Sequence, residues 1–328
     1  MPGVTTPPSS RDGVDLTHLD QPLFEDAGVT KGDLVDYLDA VAERMLPALQ
    51  DRPLSVVRAR PGQPPFMQKN LPRYAPDWIE RVEIPAEASR RTVTYPLCQD
   101  RRTLLWLANQ RAVEFHPMLV RGPGGEVTEL VVDLDPPAGT AFARVASAAR
   151  LVREALAGAG LAGAVKSSGS KGVHVVVPVA GGPSIPDVAA ATRAIAARAG
   201  RLDERLVTTE YLLADRAGRI YLDPTRSGGA SLAAVYGPRA RPGLPVSFPV
   251  GWAALDDFEP GDATVRTALG LLGSADPWRA QLPAPQVLPA DLVAEGHRIP
   301  VPRVAAMHEG KRRRAAARRA ASPDAAAP

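Results

Sequence analysis

The sequence predicts an α+β fold of mixed, largely antiparallel sheets flanked by helices. Three observations carry this: apolar runs of strand length closed by proline, alanine-rich stretches of helix length between them, and a small glycine-rich turn, Ser167 to Gly172, joining two successive apolar runs as a hairpin. The order strand, helix, strand, hairpin strand is the signature of a mixed sheet covered by helices.

The elements follow in order. Thr30 is placed to cap a helix whose apolar positions Leu34, Leu38, Val41 and Met45 keep helical spacing. Leu54 to Arg58 reads as a strand. Asp100 caps a helix running through Leu104, Leu105 and Ala108 toward Glu114. Thr140 is expected to cap an alanine-rich helix ending at Gly158 or Gly160, just before the apolar stretch Ala162 to Val165. Val173 to Val179 reads as a buried strand, Pro186 opens a helix that stops at Gly200, and Gly218 to Asp223 is a short strand. The prolines between Pro283 and Pro302 imply a surface wrap. Four segments result: a flexible end at 1–14, a body at 15–280, the wrap at 281–308 and a basic disordered tail at 309–328.

With 328 residues, 45% of them apolar, the chain can bury a full core as one large or two fused units. A single cysteine, Cys98, excludes an internal disulfide, fits a reducing cytoplasm and reads as core filler. No apolar run is long enough to span a bilayer, and Met1 to Ser10 lacks a signal-like core. From Lys311 onward six basic residues face one acid, Asp324, so the tail carries +5 of a net +3 and leaves −2 for the rest. Any nucleic-acid groove is then a local patch, drawing on Lys31, Arg58, Lys69, Arg73, Lys171, Arg239 and Arg241. Trp78, Trp106 and Trp278, beside apolar neighbours, read as core anchors.

The chemistry concentrates in two fragments. In Val131-Val132-Asp133-Leu134-Asp135-Pro136-Pro137, strand alternation puts Asp133 and Asp135 on one surface and Val132 and Leu134 in a core. Two adjacent carboxylates stay ionised together only with a cation between them, which points to magnesium or manganese. An Asp-Pro turn closing an ordinary strand is the plain alternative. The second fragment, Ser167-Ser168-Gly169-Ser170-Lys171-Gly172-Val173-His174, offers hydroxyls, free loop amides, Lys171 and His174 to phosphate oxygens. Asp223, ending Gly218-Arg219-Ile220-Tyr221-Leu222-Asp223-Pro224, supplies a third acid if its strand neighbours the first. Such a trio can hold two ions for in-line displacement at a triphosphate.

Phrases along the chain then resemble the primase-polymerase domain of bacterial non-homologous end-joining ligase D, in the archaeo-eukaryotic primase superfamily. They include Leu16-Thr17-His18-Leu19-Asp20, Thr30-Lys31-Gly32-Asp33-Leu34, Asp51-Arg52-Pro53-Leu54, Phe66-Met67-Gln68-Lys69-Asn70, Ala75-Pro76-Asp77-Trp78, Leu104-Leu105-Trp106-Leu107-Ala108-Asn109 and Glu114-Phe115-His116-Pro117. Thr208-Thr209-Glu210, Arg239-Ala240-Arg241-Pro242-Gly243 and Asp276-Pro277-Trp278 continue the series beyond the aspartate and histidine motifs. The resemblance implies an RRM-like catalytic core in which Asp133, Asp135 and Asp223 are catalytic and hold two Mn2+ or Mg2+ ions. It implies that Ser168, Lys171 and His174 bind the triphosphate, and that His116 and Arg239 contact the nucleotide or the template near it. Phe66 would stack at the break, Lys31 would grip a 5′-phosphate, and Lys69 and Arg58 would serve the DNA patch. The implied activity is a stand-alone DNA-directed nucleotidyltransferase, preferring ribonucleotides, acting as a cytoplasmic, nucleoid-associated monomer with a separate ligase and the end-binding Ku protein.

The chain departs from the family at four places: Gln21 replaces a second lysine, Ser227 an asparagine, Gly237 a serine and Met67 a second aromatic, with Pro224 and Arg226 altering the loop after Asp223. Gln21 and the altered loop after Asp223 support a second reading, a DNA-end-binding module with weak or no synthesis, against which the three carboxylates and the Ser168, Lys171 and His174 set speak. A sugar-nucleotide transferase fits only the Asp-x-Asp.

Overall fold

A computed structural model describes residues 9–60, 62–86, 91–122, 124–227 and 229–301. The hairpin of β1 (Ser9–Arg11) and β2 (Val14–Leu16) leads into α1 (Lys31–Met45), followed by β3 (Leu54–Arg58), β4 (Phe66–Gln68), the pair β5 (Arg81–Ala86) and β6 (Arg91–Pro96), and α2 (Arg101–Asn109). Next come β7 (Ala112–Pro117), β8 (Val120–Arg121), β9 (Glu126–Val127), β10 (Glu129–Asp135), α3 (Phe142–Ala157), β11 (Ala164–Ser167), β12 (Val173–Ala180) and α4 (Ile185–Leu202). The chain continues through β13 (Val207–Thr208), β14 (Ile220–Asp223), α5 (Ala268–Leu272), α6 (Pro277–Gln281), β15 (Gln286–Val287) and α7 (Ala290–Arg298).

The main sheet has the order β11-β12-β10-β14-β13, with β15 added along β12; its pairings are antiparallel except β13 with β14 and β12 with β15. A smaller antiparallel sheet, β4-β3-β7, stands apart. This is the α+β, mixed and largely antiparallel arrangement expected. On β10 the alternation works as read: Leu130, Val132 and Leu134 enter the main core, which also holds Val145, Ala149 and Val152 of α3 and Ala191 and Ile195 of α4. The opposite face carries Val131 into a second cluster with Leu119, Val176 and Leu232, backed by Trp278, and leaves Asp133 and Asp135 at the open end of the strand.

Local signals set most ends. Thr30 and Asp33 form a reciprocal cap at the start of α1, and Asp100 accepts from the Thr103 amide at the start of α2. Four expectations are corrected. Helix α2 ends at Asn109, since Arg111 takes a positive φ of 62° and turns the chain into β7, which holds Glu114. Thr140 donates to the Pro137 carbonyl, so α3 begins at Phe142 without a side-chain cap. Gly200 lies inside α4, which Ser184 caps and which runs on to Leu202. The expected wrap contains α7, fastened to α4 by Arg198 on Glu295 at 2.6 Å.

At the front end, Arg11 pairs with Asp36 and Asp39 of α1, and Val14 and Leu16 are buried, so the hairpin from Ser9 belongs to the folded body. The rest of the expected flexible end, and the basic tail, lie outside the described residues. Cys98 is fully buried, as expected, and burial pushes its thiol up. Among the described residues no helix is long and apolar enough to cross a membrane.

Helix α7 docks on α4 through a glycine. A Cβ at Gly296 would stand 1.8 Å from the Ala190 carbonyl oxygen, a backbone atom that cannot swing away. Gly296→Ala is therefore expected to lower stability by about 1–3 kcal/mol through overpacking, read as a lower melting temperature.

Candidate active site

One rung of the main sheet carries the chemistry. Backbone register sets Lys166 opposite His174, His174 opposite Asp133 and Asp133 opposite Asp223, across β11, β12, β10 and β14 in turn. Asp135 follows two residues on, opposite Tyr221. The third acid thus joins the first pair because β14 is the direct neighbour of β10.

Cations hold this cluster. Arg226, on the loop after β14, places its Nε 3.1 Å from an Asp133 oxygen and 3.6 Å from an Asp223 oxygen, so both carboxylates share one nitrogen. Lys171 reaches Asp135 at 3.1 Å, and Arg216, lying over the Tyr221 ring, reaches its other oxygen at 3.4 Å. Burial pushes the Asp133 carboxyl up to about 6; Arg226 opposes this, while the charges of Asp223 and Asp135 add to it. Asp133 is therefore the acid of the three whose negative charge is disfavoured by its own burial.

Among the described residues no group of three histidine, cysteine, aspartate or glutamate side chains closes into a ready metal cage. One Asp223 oxygen is turned onto the Thr225 amide and hydroxyl, at 2.8 and 2.6 Å, and the other faces Arg226. The donors nevertheless suit a hard divalent cation: carboxylate oxygens on adjacent strands, one of them buried and pushed up by that burial.

The hairpin loop from β11 to β12 differs from its expected form. Four of its amides are taken: Ser168 donates to the Gly172 carbonyl, Ser170 and Gly172 donate to the Ser168 hydroxyl, and Gly169 to the Ser167 hydroxyl. Ser168 therefore shapes the loop from within. Gly172 has no alternative, because a Cβ there would lie 2.0 Å from the Leu134 carbonyl oxygen on β10. What the loop turns outward is Lys171, half exposed beside Asp135. His174 is buried and held well below its ordinary value, by burial first and then by Lys166 and Arg239, so it is neutral.

His116 and Arg239 meet through Glu114. His116 Nε2 lies 2.7 Å from one Glu114 oxygen and Arg239 Nε 3.1 Å from that same oxygen, while the Ala240 amide donates to the other. Arg239 also donates to the Ser168 carbonyl, tying β7 to the loop. Burial alone would raise the Glu114 carboxyl; the bond from His116, the charge of Arg239 and the Ala240 amide overcome it and hold it down to about 2. The folded value lies below the ordinary one, so the stability it contributes is complete above pH ~4.5 and lost as pH falls toward 2. Acid melts should show that loss in wild type, and Glu114→Gln should flatten it while lowering stability at neutral pH by roughly 1–3 kcal/mol.

The expected DNA residues lie elsewhere. Lys31, first in α1, is buried with Nζ on Thr17, and it is pushed down to about 8 by burial and then by Arg111. Gln21 accepts from Arg111 at 2.6 Å, so an arginine stands beside the place of the missing lysine. Phe66 is half-buried on β4 with Arg60 5.0 Å from its ring centre, and Lys69 is exposed. Arg58 is corrected: it is buried, and its guanidinium is spent on the Gln110 carbonyl, Gln68 and Tyr74, holding β3 to its surroundings. Trp78 and Trp106 pack as structural residues, Trp78 under Arg102.

Arg226 was noted only as altering the loop after Asp223, and neither it nor Arg216, Lys166 or Glu114 was given a role at the site from sequence. Only Glu114 carried a signal there, since i and i+2 in a strand share a face with His116.

The family described as LigD, primase-polymerase domain, matches residues 30–278. The multifunctional non-homologous end joining DNA repair protein LigD of Mycobacterium tuberculosis is 36% identical over 261 residues, covering 76% of this chain and 34% of that one. The bifunctional non-homologous end joining protein LigD of Bacillus subtilis is 32% identical, covering 72% of this chain and 38% of that one. The chain thus spans about a third of the length of these relatives. Among solved structures, the polymerase domain from Mycobacterium tuberculosis ligase D in complex with DNA matches with a TM-score of 0.72 and 32% identity, over 80% of this chain and 95% of that one.

Proposed function

Because the chain belongs to the LigD primase-polymerase family, we propose that it is a nucleotidyltransferase that adds nucleotides, preferably ribonucleotides, to a primer 3′-hydroxyl at DNA breaks or gaps. The observation that carries the reading is the single rung joining Lys166, His174, Asp133 and Asp223, with Asp135 beside it.

Asp133, Asp135 and Asp223 would hold two Mn2+ or Mg2+ ions. Such ions, when bound, activate the hydroxyl and neutralise the charge of a triphosphate during in-line displacement. The chain's own groups orient and complement charge. Lys171, outermost on the loop, pairs with phosphate oxygens once Asp135 is otherwise engaged, and neutral His174 donates a hydrogen bond beside it. Glu114 keeps His116 and Arg239 together at the base of the same loop, where the nucleotide would lie. Ser168 contributes by fixing the loop's shape.

On the DNA side, Lys31 with Arg111 forms a cationic end of α1 suited to a 5′-phosphate, while Phe66 on the edge strand β4 and Lys69 just beyond its end suit stacking and backbone contact. The partners this reading implies are DNA ends, nucleoside triphosphates, Ku and a ligase, acting in the cytoplasm. The 328 residues contain no Lys-x-Asp-Gly sequence, so sealing would fall to a ligase outside them.

A second reading, an end-binding module with little synthesis, draws on Arg226 occupying the acidic cluster. Manganese-dependent extension of a gapped primer with labelled ribonucleotides separates the two. Incorporation stimulated by a downstream 5′-phosphate supports the polymerase; folded protein that binds gapped DNA yet incorporates nothing supports the module.

A further inference from the structure

Lys166 stands at the inner end of the rung, fully enclosed, with Nζ against three groups: His174 Nδ1 at 2.7 Å, the Ala233 carbonyl at 2.9 Å and the Ser247 hydroxyl at 2.6 Å. The chemistry of these neighbours fixes most of the protons. A carbonyl oxygen only accepts. Ser247 already gives its proton to the Ser167 carbonyl at 2.8 Å, so its oxygen must accept from the lysine. Burial and then Arg239 push the lysine down to about 7, so below that pH it carries three protons: two are thereby committed, and the third faces His174 Nδ1.

At the other side of the ring, His174 Nε2 lies 3.5 Å from an Asp133 oxygen, which is also an acceptor. A proton on Nε2 and a lone pair on Nδ1 satisfy both ends. The opposite tautomer would set the Nε2 lone pair against a carboxylate, and a doubly protonated ring would bury a cation against an ammonium.

We propose that Lys166 is a positioning residue: by donating to Nδ1 it holds His174 as the neutral Nε2–H tautomer, so that the ring presents an N–H donor to a phosphate oxygen of the incoming nucleotide. The second half of this statement rests on the polymerase reading. Sheet register, rather than a flexible side chain's choice of rotamer, keeps the two groups together, because Lys166 and His174 are cross-strand partners. The sign of the partner matters. A carboxylate or carbonyl behind Nδ1 would demand Nδ1–H and leave Nε2 as an acceptor, which a phosphate oxygen repels.

The test reads the tautomer without turnover. Long-range proton–nitrogen NMR spectra of the ligand-free protein, labelled with nitrogen-15 at histidine, are expected to show His174 protonated at Nε2 and bare at Nδ1. Lys166→Met keeps the length and removes the donor; in the folded variant His174 should shift to a mixed or reversed tautomer. The KM for nucleotide should then rise roughly tenfold, with kcat less affected. Nδ1–H in the wild type overturns the proposal, and the wild-type spectrum alone suffices should the variant not fold. An unchanged tautomer in folded Lys166→Met overturns it as well, and an unchanged KM after a shifted tautomer overturns the nucleotide half. Failure of the polymerase reading is seen separately, as absence of nucleoside triphosphate binding, and leaves the wild-type spectrum as it is.

Discussion

Asp133→Asn is expected to reduce nucleotide addition on the order of a thousandfold or more, without unfolding the protein. Asp133 is the member of the cluster with acidic neighbours on both sides, Asp223 across the strand pair and Asp135 two residues along. It is also the acid that His174 and Arg226 both face. Losing its charge removes a link between nucleotide donors and cation-binding oxygens. Folding should not suffer, because burial and its acidic neighbours already push this carboxyl up to about 6, and a neutral amide of the same shape relieves that cost. Primer extension with labelled ribonucleotides measures the first effect. Thermal melting in chelator at neutral pH measures the second, where the variant should melt no lower than wild type.

Arg226→Gln is expected to act in the opposite sense on ion binding. Its guanidinium now compensates Asp133 and Asp223 together, and it must leave or share them when a divalent ion enters. Removing it should tighten Mn2+ binding by roughly tenfold, as measured by calorimetry or by the electron paramagnetic signal of free manganese. Without metal the variant should melt lower, as two neighbouring acids lose their shared partner. The effect on stability is moderated by solvent, since Arg226 is 42% exposed. Equal Mn2+ affinity in variant and wild type would show that the arginine does not compete for the site.

Much of the site was legible because its key pattern is local. Two aspartates at strand spacing before a proline share a face whatever surrounds them, and a small glycine-rich segment between two apolar runs is a hairpin. The same logic placed Thr30 and Asp100 as caps. What escaped was non-local. Nothing in the order of residues says that Arg226 folds back onto Asp133, or that Lys166 comes to lie beside His174 eight residues later. Those contacts depend on register between strands and on the return of a loop. The loop amides were misjudged for a related reason: a glycine-rich turn reads as a set of open donors, but the Ser168 hydroxyl takes two of them internally. Arg58 looked like a DNA contact because arginines usually face solvent, yet Gln68 and Tyr74 enclose it. Helix ends were least readable where an unused threonine, Thr140, stood near the true start.

The most direct measurement is anomalous diffraction from crystals grown with Mn2+ and a non-hydrolysable nucleoside triphosphate. Manganese peaks among the oxygens of Asp133, Asp135 and Asp223, with Arg226 withdrawn and the phosphates against Lys171 and His174, are the predicted result. Nucleotide bound with manganese away from these three acids would contradict the account.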